Sequence, residues 1–365
     1  MTPAHTGPHT RSIGLDAARV LASGLVLLAH GAAVFLPMFK IDPPVTVLMG
    51  AYYGLELFFV LSGFLIGGLL FRVAESDATP HGWLIFMVRR WMRTLPIYWL
   101  WLAAVVWLLP APEPLAPRLL AYATMTQNLA WPMPADGWFN QSWTLAVEEW
   151  FYLLFSAALL GAVAKVRSQR AVWPVILAFL LLPALARMAL PPSLNFETQV
   201  YHVVLLRLDA IGYGVALARL RWQGSALFRH RWLAFGAGCV LVGAGLYQHV
   251  YGPLIRMNAA QFNLGQLFLT SIGLCLFLAG LSGLRLRWHP LAWLIAIGSR
   301  MSYGVYLMHL TIIQYVVWQG LGRGYSPGVL LCVSLVATLA LAWLGYRLVE
   351  APLMALRPPQ ARATP

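Results

Sequence analysis

The chain has 365 residues, 60% of them hydrophobic and 10% charged, and a mean hydropathy of +0.71. Soluble domains carry roughly 25% charged residues, so this composition excludes an ordinary water-soluble globule. The net charge of +13 does not by itself indicate nucleic acid, because cytoplasmic loops of membrane proteins are rich in Lys and Arg.

A helix needs about 20 apolar residues to cross a hydrocarbon core of roughly 30 Å. The sequence therefore reads as an all-α, polytopic transmembrane bundle of ten spans. They lie at 13–36, 51–71, 94–110, 142–164, 171–190, 200–218, 232–250, 262–284, 299–320 and 327–348. The count becomes eleven if Pro290–Ile297 forms a re-entrant or interfacial piece. One membrane domain, 13–356, is expected between polar, Pro-containing tails 1–12 and 357–365, which are expected to be disordered. The first apolar run does not read as a cleavable signal, since it continues past Ala32 and carries Asp16 and Arg19. Cys239, Cys275 and Cys332 fall within apolar segments and give no metal or disulfide spacing.

Charge sets the expected orientation, with both termini cytoplasmic. The inside loops then hold Arg72, Arg89, Arg90, Arg93, Lys165, Arg167, Arg170, Arg219, Arg221, Arg229, Arg231, Arg285, Arg287, Arg347, Arg357 and Arg362. The outside loops hold only Lys40, Arg118, Arg256 and Arg323. The outside segment 110–141 is rich in Pro and Trp and reads as an ordered or partly re-entrant loop.

Ionisable groups within spans are costly in lipid, so they face the bundle interior and mark either function or a packing pair. In the first span Asp16, Arg19, Ser23 and His30 share one helix face. Asp16 and Arg19 are one turn apart and can pair with each other. His30 lies about 16 Å further along the axis than Arg19, without a local partner. The second span carries Glu56 and Ser62 within Gly54–Gly63. Between the second and third spans, Arg90 and Arg93 sit one turn apart at an expected helix N-terminus, where the alternatives are a phosphate site and ordinary inside-loop charge. The fourth span places Thr144, Glu148 and Tyr152 on one face, with Glu149 pointing elsewhere. In the sixth, Arg207 and Asp209 are two residues apart and need separate partners. The ninth aligns Ser302, Tyr306 and His309, and the last ends in Arg347 and Glu350, spaced for a helix-end ion pair.

Together these motifs resemble the acyltransferase 3 family of membrane O-acyltransferases. The matching stretches are Leu15–Arg19 followed by His30; Gly54–Gly63 continuing to Ile66; Arg90 and Arg93 with Pro96 and Tyr98; Trp143–Glu148 followed by Phe151 and Tyr152; Gly298 with Ser302, Tyr303, Tyr306 and His309; and Glu350 with Pro352. The chain departs from the family pattern at Glu56, where Asp is usual, at Thr144, where Ser is common, and at Trp150, where Gln is common. Glu for Asp moves the carboxylate outward by one methylene and puts its partner in question.

The resemblance implies transfer of an acyl group, acetyl above all, from cytoplasmic acyl-CoA to a hydroxyl of a sugar, glycan or lipid-linked acceptor, without a metal. The location it implies is a bacterial inner membrane. His30 matches the family's essential His, Arg90 and Arg93 the donor-associated pair, and Arg19 and Glu148 two further functional positions. The mechanism expected from these roles has His30 as general base and Glu148 orienting its ring, with Arg90, Arg93 and Arg19 holding the CoA phosphates. Glu56, Ser62, Tyr152, Tyr306 and His309 are expected to bind substrate or support the site. A covalent acyl-His route stays open beside direct transfer. Intramembrane charges also suit a transporter or flippase of a lipid-linked glycan, or an assembly partner without chemistry.

Overall fold

The computed structural model describes residues 12–134, 136–191, 193–251, 259–286 and 288–359. The tail residues 1–11 and 360–365, together with Arg256, Arg287 and Arg362, lie outside the described residues.

All secondary structure among the described residues is helical. In chain order the α-helices are α1 (Ile13–Met38), α2 (Val45–Ser76), α3 (Pro80–Leu108), α4 (Leu115–Ala123), α5 (Ser142–Val166) and α6 (Val172–Met188). They continue with α7 (Leu208–Trp222), α8 (Arg231–Tyr251), α9 (Ala259–Leu281), α10 (His289–Leu321), α11 (Pro327–Gly345) and α12 (Ala351–Ala355). Each of the ten expected segments carries one helix. Among the described residues eight helical segments are long and apolar enough to cross a membrane; α7, with 15 residues, and the apolar part of α9, Gly265–Leu281, are shorter.

Local chemistry explains where the helices begin. Thr79 caps α3 by accepting from the Gly82 N–H at 3.2 Å, and Pro80 follows at a position where a missing N–H costs nothing. The helix thus begins well before Arg90 and Arg93, which lie in its interior rather than at the expected N-terminus. Pro290 plays the same part in α10, so Pro290–Ile297 forms the first turns of one continuous 33-residue helix rather than a separate piece. The sixth segment becomes α-helical only at Leu208, because a π turn (Glu197–Tyr201) and a 3-10 turn (Val204–Leu206) precede it.

Packing follows from small residues. Hydrocarbon offers helices no hydrophobic drive to associate, so close backbone approach has to supply contact. α1 packs between α2 and α10, and α2 continues against α7. A Cβ on Gly54 would stand 2.6 Å from the Ala22 carbonyl oxygen of α1. Glycines at 63 and 214 meet across the α2–α7 contact, where a Cβ on either would run into the other helix's backbone. The Gly54–Gly63 block is thus the seam by which α2 holds both neighbours.

The polar stripe of α1 faces this interior. Asp16 and Ser23 are buried, whereas Leu21 and Leu28 are exposed on the opposite side. Exposed Trp107, Leu182, Val240 and Val336 belong to the same apolar outer surface. This inside-out amphipathicity is the pattern of a bundle solvated by lipid.

Candidate active site

Helices α1, α2, α3, α5 and α10 enclose a cavity of about 90 Å³. Of the intramembrane polar residues singled out from the sequence, nine line it: Arg19, Ser62, Arg90, Arg93, Thr144, Glu148, Tyr152, Ser302 and Tyr306. The helical spacing that put Thr144, Glu148 and Tyr152 on one face of α5 brings all three to the cavity wall.

His30 stands beside this cavity rather than in its lining. Its Nδ1 lies 2.9 Å from Nε2 of His309, bringing together two histidines 279 residues apart. The network fixes their tautomers. Nδ1 of His309 faces the carbonyl oxygens of Val305 at 3.1 Å and Tyr306 at 2.7 Å, and carbonyls only accept, so this nitrogen carries the proton. His309 Nε2 is therefore an acceptor, and the His30 Nδ1–H donates to it. The remaining ring nitrogen of His30, Nε2, is left with its lone pair free to take a proton. His309 is fully buried and His30 is partly exposed.

Tyr306 links the pair to the cavity. Its ring lines the cavity and its centroid stands 5.9 Å from that of His309. Its hydroxyl donates to the Gln141 carbonyl at 3.0 Å and sits 2.7 Å from the Thr144 hydroxyl. Gln141 in turn donates through its side chain to the Leu307 carbonyl and the Thr311 hydroxyl, both at 2.9 Å. The turn before α5 is thereby tied to the middle of α10.

At the other end of the cavity Glu148 accepts from the Tyr152 hydroxyl at 3.1 Å, and the Ser62 hydroxyl bonds to the same phenol. The Arg90 guanidinium lies over the Tyr152 ring, 5.0 Å from its centroid. The ring partner of His30 is therefore His309, while Glu148 belongs with Tyr152 and Arg90. Glu149 points away, as its spacing indicates, and accepts from Thr94 at 2.6 Å. Asp16 and Arg19 pair at 3.2 Å, and Ser299 of α10 donates to Asp16 at 2.6 Å.

The remaining intramembrane charges form a separate cluster. Arg207 bonds to Glu56, whose Oε1 also accepts from Tyr201 at 2.9 Å. Arg187 forks onto Asp209 through bonds of 3.0 and 2.6 Å. The two separate partners that Arg207 and Asp209 require are thus Glu56 and Arg187. The expected helix-end pair of Arg347 and Glu350 does not form. The π turn Tyr346–Glu350 rotates the register, Arg347 lies over Trp343, and Glu350 is buried facing Arg93 and Arg357.

Gln141, Thr94, Arg187, Tyr201 and Ser299 were not singled out from the sequence. Each acts through a contact distant in the chain, and a lone polar residue in or beside an apolar segment carries little local signal. Arg187, a charge within the fifth span with no partner on its own helix, was the one such residue that the cost of intramembrane charge could have flagged.

The family model for an acyltransferase domain, acyltransferase 3, matches residues 12–347. YrhL of Bacillus subtilis (strain 168), named a candidate peptidoglycan O-acetyltransferase, is 26% identical over 339 residues, covering 83% of this chain and 50% of its own. The peptidoglycan O-acetyltransferase OatA of Listeria monocytogenes is 23% identical, covering 83% of this chain and 51% of its own. The O-acetyltransferase OatA of Staphylococcus aureus (strain NCTC 8325) is 26% identical, covering 93% and 57%. The chain thus spans about half the length of these relatives. No solved structure matches it significantly. With a family model running from the start of α1 to the end of α11, the chain belongs to the acyltransferase 3 family.

Proposed function

We propose that the protein is a membrane-bound O-acyltransferase that moves an acyl group, acetyl first of all, from acyl-CoA to a hydroxyl of a glycan or lipid-linked sugar. The relatives are named for peptidoglycan, and a cell-wall glycan is the acceptor class we extend from them to this chain. The observation that carries the reading is the His30–His309 pair standing beside a cavity whose lining holds Arg19, Arg90 and Arg93.

A hydroxyl is a weak nucleophile at neutral pH and needs a base within hydrogen-bond reach. In the proposed step His30 Nε2 takes the acceptor's proton as its oxygen attacks the thioester carbonyl carbon. The carbon–sulfur bond breaks, and the imidazolium returns the proton to the departing CoA thiolate. His309, held as an acceptor by its own bonds to the backbone, orients the His30 ring and accepts from the Nδ1–H of the imidazolium, the third-group role known from triads. Arg90 and Arg93 hold the donor's phosphates. Glu148 and Tyr152 position Arg90, and Tyr306 separates the donor cavity from the histidines until a thioester displaces it. The Arg-rich end faces the cytoplasm, where positive loops collect and acyl-CoA is available.

The test is His30→Ala in purified protein reconstituted in nanodiscs, with acetyl-CoA and a lipid-linked glycan, reading release of free CoA. General-base catalysis contributes roughly 10²–10⁴-fold, so a loss of that size is expected with an unchanged melting temperature. Activity within about tenfold of wild type would remove His30 from the chemistry. Mass spectrometry of cell-envelope glycans with and without the protein identifies the acceptor by its lost acyl mass. A flippase without chemistry would leave that mass in place and would not bind acetyl-CoA.

A further inference from the structure

At the Arg90 end of the cavity the chain folds back on itself. Past the π turn and α12, the segment that follows reaches α3, where the Arg89 guanidinium donates to the Pro358 carbonyl oxygen. This contact sets Arg357 against Arg89, Arg90 and Arg93, with Glu350 as the carboxylate facing it. Glu148 faces Arg90 and Arg93 from within the cavity, and Glu149, turned toward Thr94, lies within electrostatic reach of Arg90. Four guanidinium groups thus meet three carboxylates, and an excess of positive charge remains even with all three ionised.

The hydrogen bonding is incomplete in the same place. Nε and Nη2 of Arg357 and Nε of Arg90 are shut off from solvent and have no acceptor among the described residues. Buried charged donors left unmade are costly, so a native cluster of this kind is poised for an anion. Burial, together with the guanidinium groups of Arg93, Arg90 and Arg89, pulls Arg357 down to about 10, and an anion arriving there relieves that repulsion. Unpaired donors on two planar forks call for several acceptor oxygens carried on one anionic group. A phosphate presents oxygens enough for donors on two forks, whereas a carboxylate has only two and chloride none.

We propose that Arg357 is a donor-specificity residue, closing with Arg90 around a phosphate on the nucleotide end of acyl-CoA. The proposal rests on the acyl-CoA reading above and adds to it a residue from another part of the chain. A phospholipid head group carries the same chemistry, so the experiment separates the two sources. The full chain is assayed in phosphatidylcholine nanodiscs with acetyl-CoA and with acetyl-pantetheine, which has the thioester but no phosphate. Wild type is expected to prefer acetyl-CoA; if it uses neither donor, or both equally, the acyl-CoA reading fails before any variant is made. Arg357→Ala is then expected to raise KM for acetyl-CoA by about tenfold or more, the worth of one charge-assisted hydrogen bond, with kcat and the acetyl-pantetheine kinetics unchanged. Arg357→Lys, which keeps the charge but loses the fork, raises it less and carries the test should Arg357→Ala fail to fold. An equal rise in KM for both donors overturns the proposal in favour of a packing role. An unchanged KM for acetyl-CoA, with loss of a stimulation by added phosphatidylglycerol, overturns it in favour of a lipid head group.

Discussion

Two groups of charges sit among these helices, one fully buried and one half-buried, and they are built in opposite ways. Glu56, Arg207, Asp209 and Arg187 form a closed set in which each charge meets its opposite and Tyr201 supplies a further bond. Arg19, Arg90, Arg93 and Glu148 line a cavity, and among the described residues neither Arg90 nor Arg93 makes an ion pair, whereas Arg187 and Arg207 each do. From sequence the two groups look alike, since both are expensive charges in apolar helices. The difference lies in ion pairing and in the space beside it, since both groups keep a guanidinium Nε without an acceptor among the described residues. A paired cluster holds helices in place, whereas one with unpaired cations and space beside it is arranged for a ligand.

The largest expected effect breaks the closed set. Arg207→Met leaves the Glu56 carboxylate buried without its cation, and removing one partner of a buried pair costs about 3–5 kcal/mol. The melting temperature in detergent is expected to collapse, and Glu56→Met combined with Arg207→Met to recover much of it. Arg93→Met, made in the open set, is expected to leave melting almost unchanged while raising KM for acetyl-CoA. If Arg93→Met melts as low as Arg207→Met, both sets are structural and the contrast fails.

A smaller effect tests the seam that carries Glu56 to Arg207. Gly63→Val drives a branched side chain into the Ile211 backbone, and overpacking of this kind typically costs 1–3 kcal/mol. The loss should appear in melting temperature, with the KM for donor little changed in the protein that remains folded. A variant that melts like wild type would show that α2 and α7 can separate freely, and that the ion pair alone holds them.

Much of this was legible in the residues. Hydropathy located all ten helical segments, because crossing length and lipid solvation act locally on the chain. Helical periodicity placed Thr144, Glu148 and Tyr152 on one wall, and the two-residue step between Arg207 and Asp209 required separate partners. What periodicity could not supply was pairing across distance. His30 and His309 were each visible as polar groups on a helix face, yet their contact depends on how α1 meets α10. Glu148 was assigned to the imidazole because a carboxylate is the usual third group, and nothing local distinguishes that from its bond to Tyr152. Arg347 and Glu350 had the spacing of a pair, but a π turn that no residue pattern announced rotates them apart.

The smallest effect sharpens the boundary between the open set and the histidines. Tyr306→Phe keeps the ring beside His309 and removes one hydroxyl. The Gln141 carbonyl loses its 3.0 Å bond but retains the Thr144 hydroxyl at 3.3 Å. The stability cost should therefore be about 0.5–1.5 kcal/mol, that of an ordinary hydrogen bond, with transfer reduced only a few-fold. Tyr306→Ala removes the ring as well and opens the cavity toward His30. Water then competes with the acceptor hydroxyl for the activated thioester, so CoA release without glycan acylation is expected to rise relative to transfer. The ratio of the two rates separates a wall from a binding residue. A wall that is lost uncouples hydrolysis from transfer, whereas a lost binding contact lowers both rates together and leaves their ratio where it was.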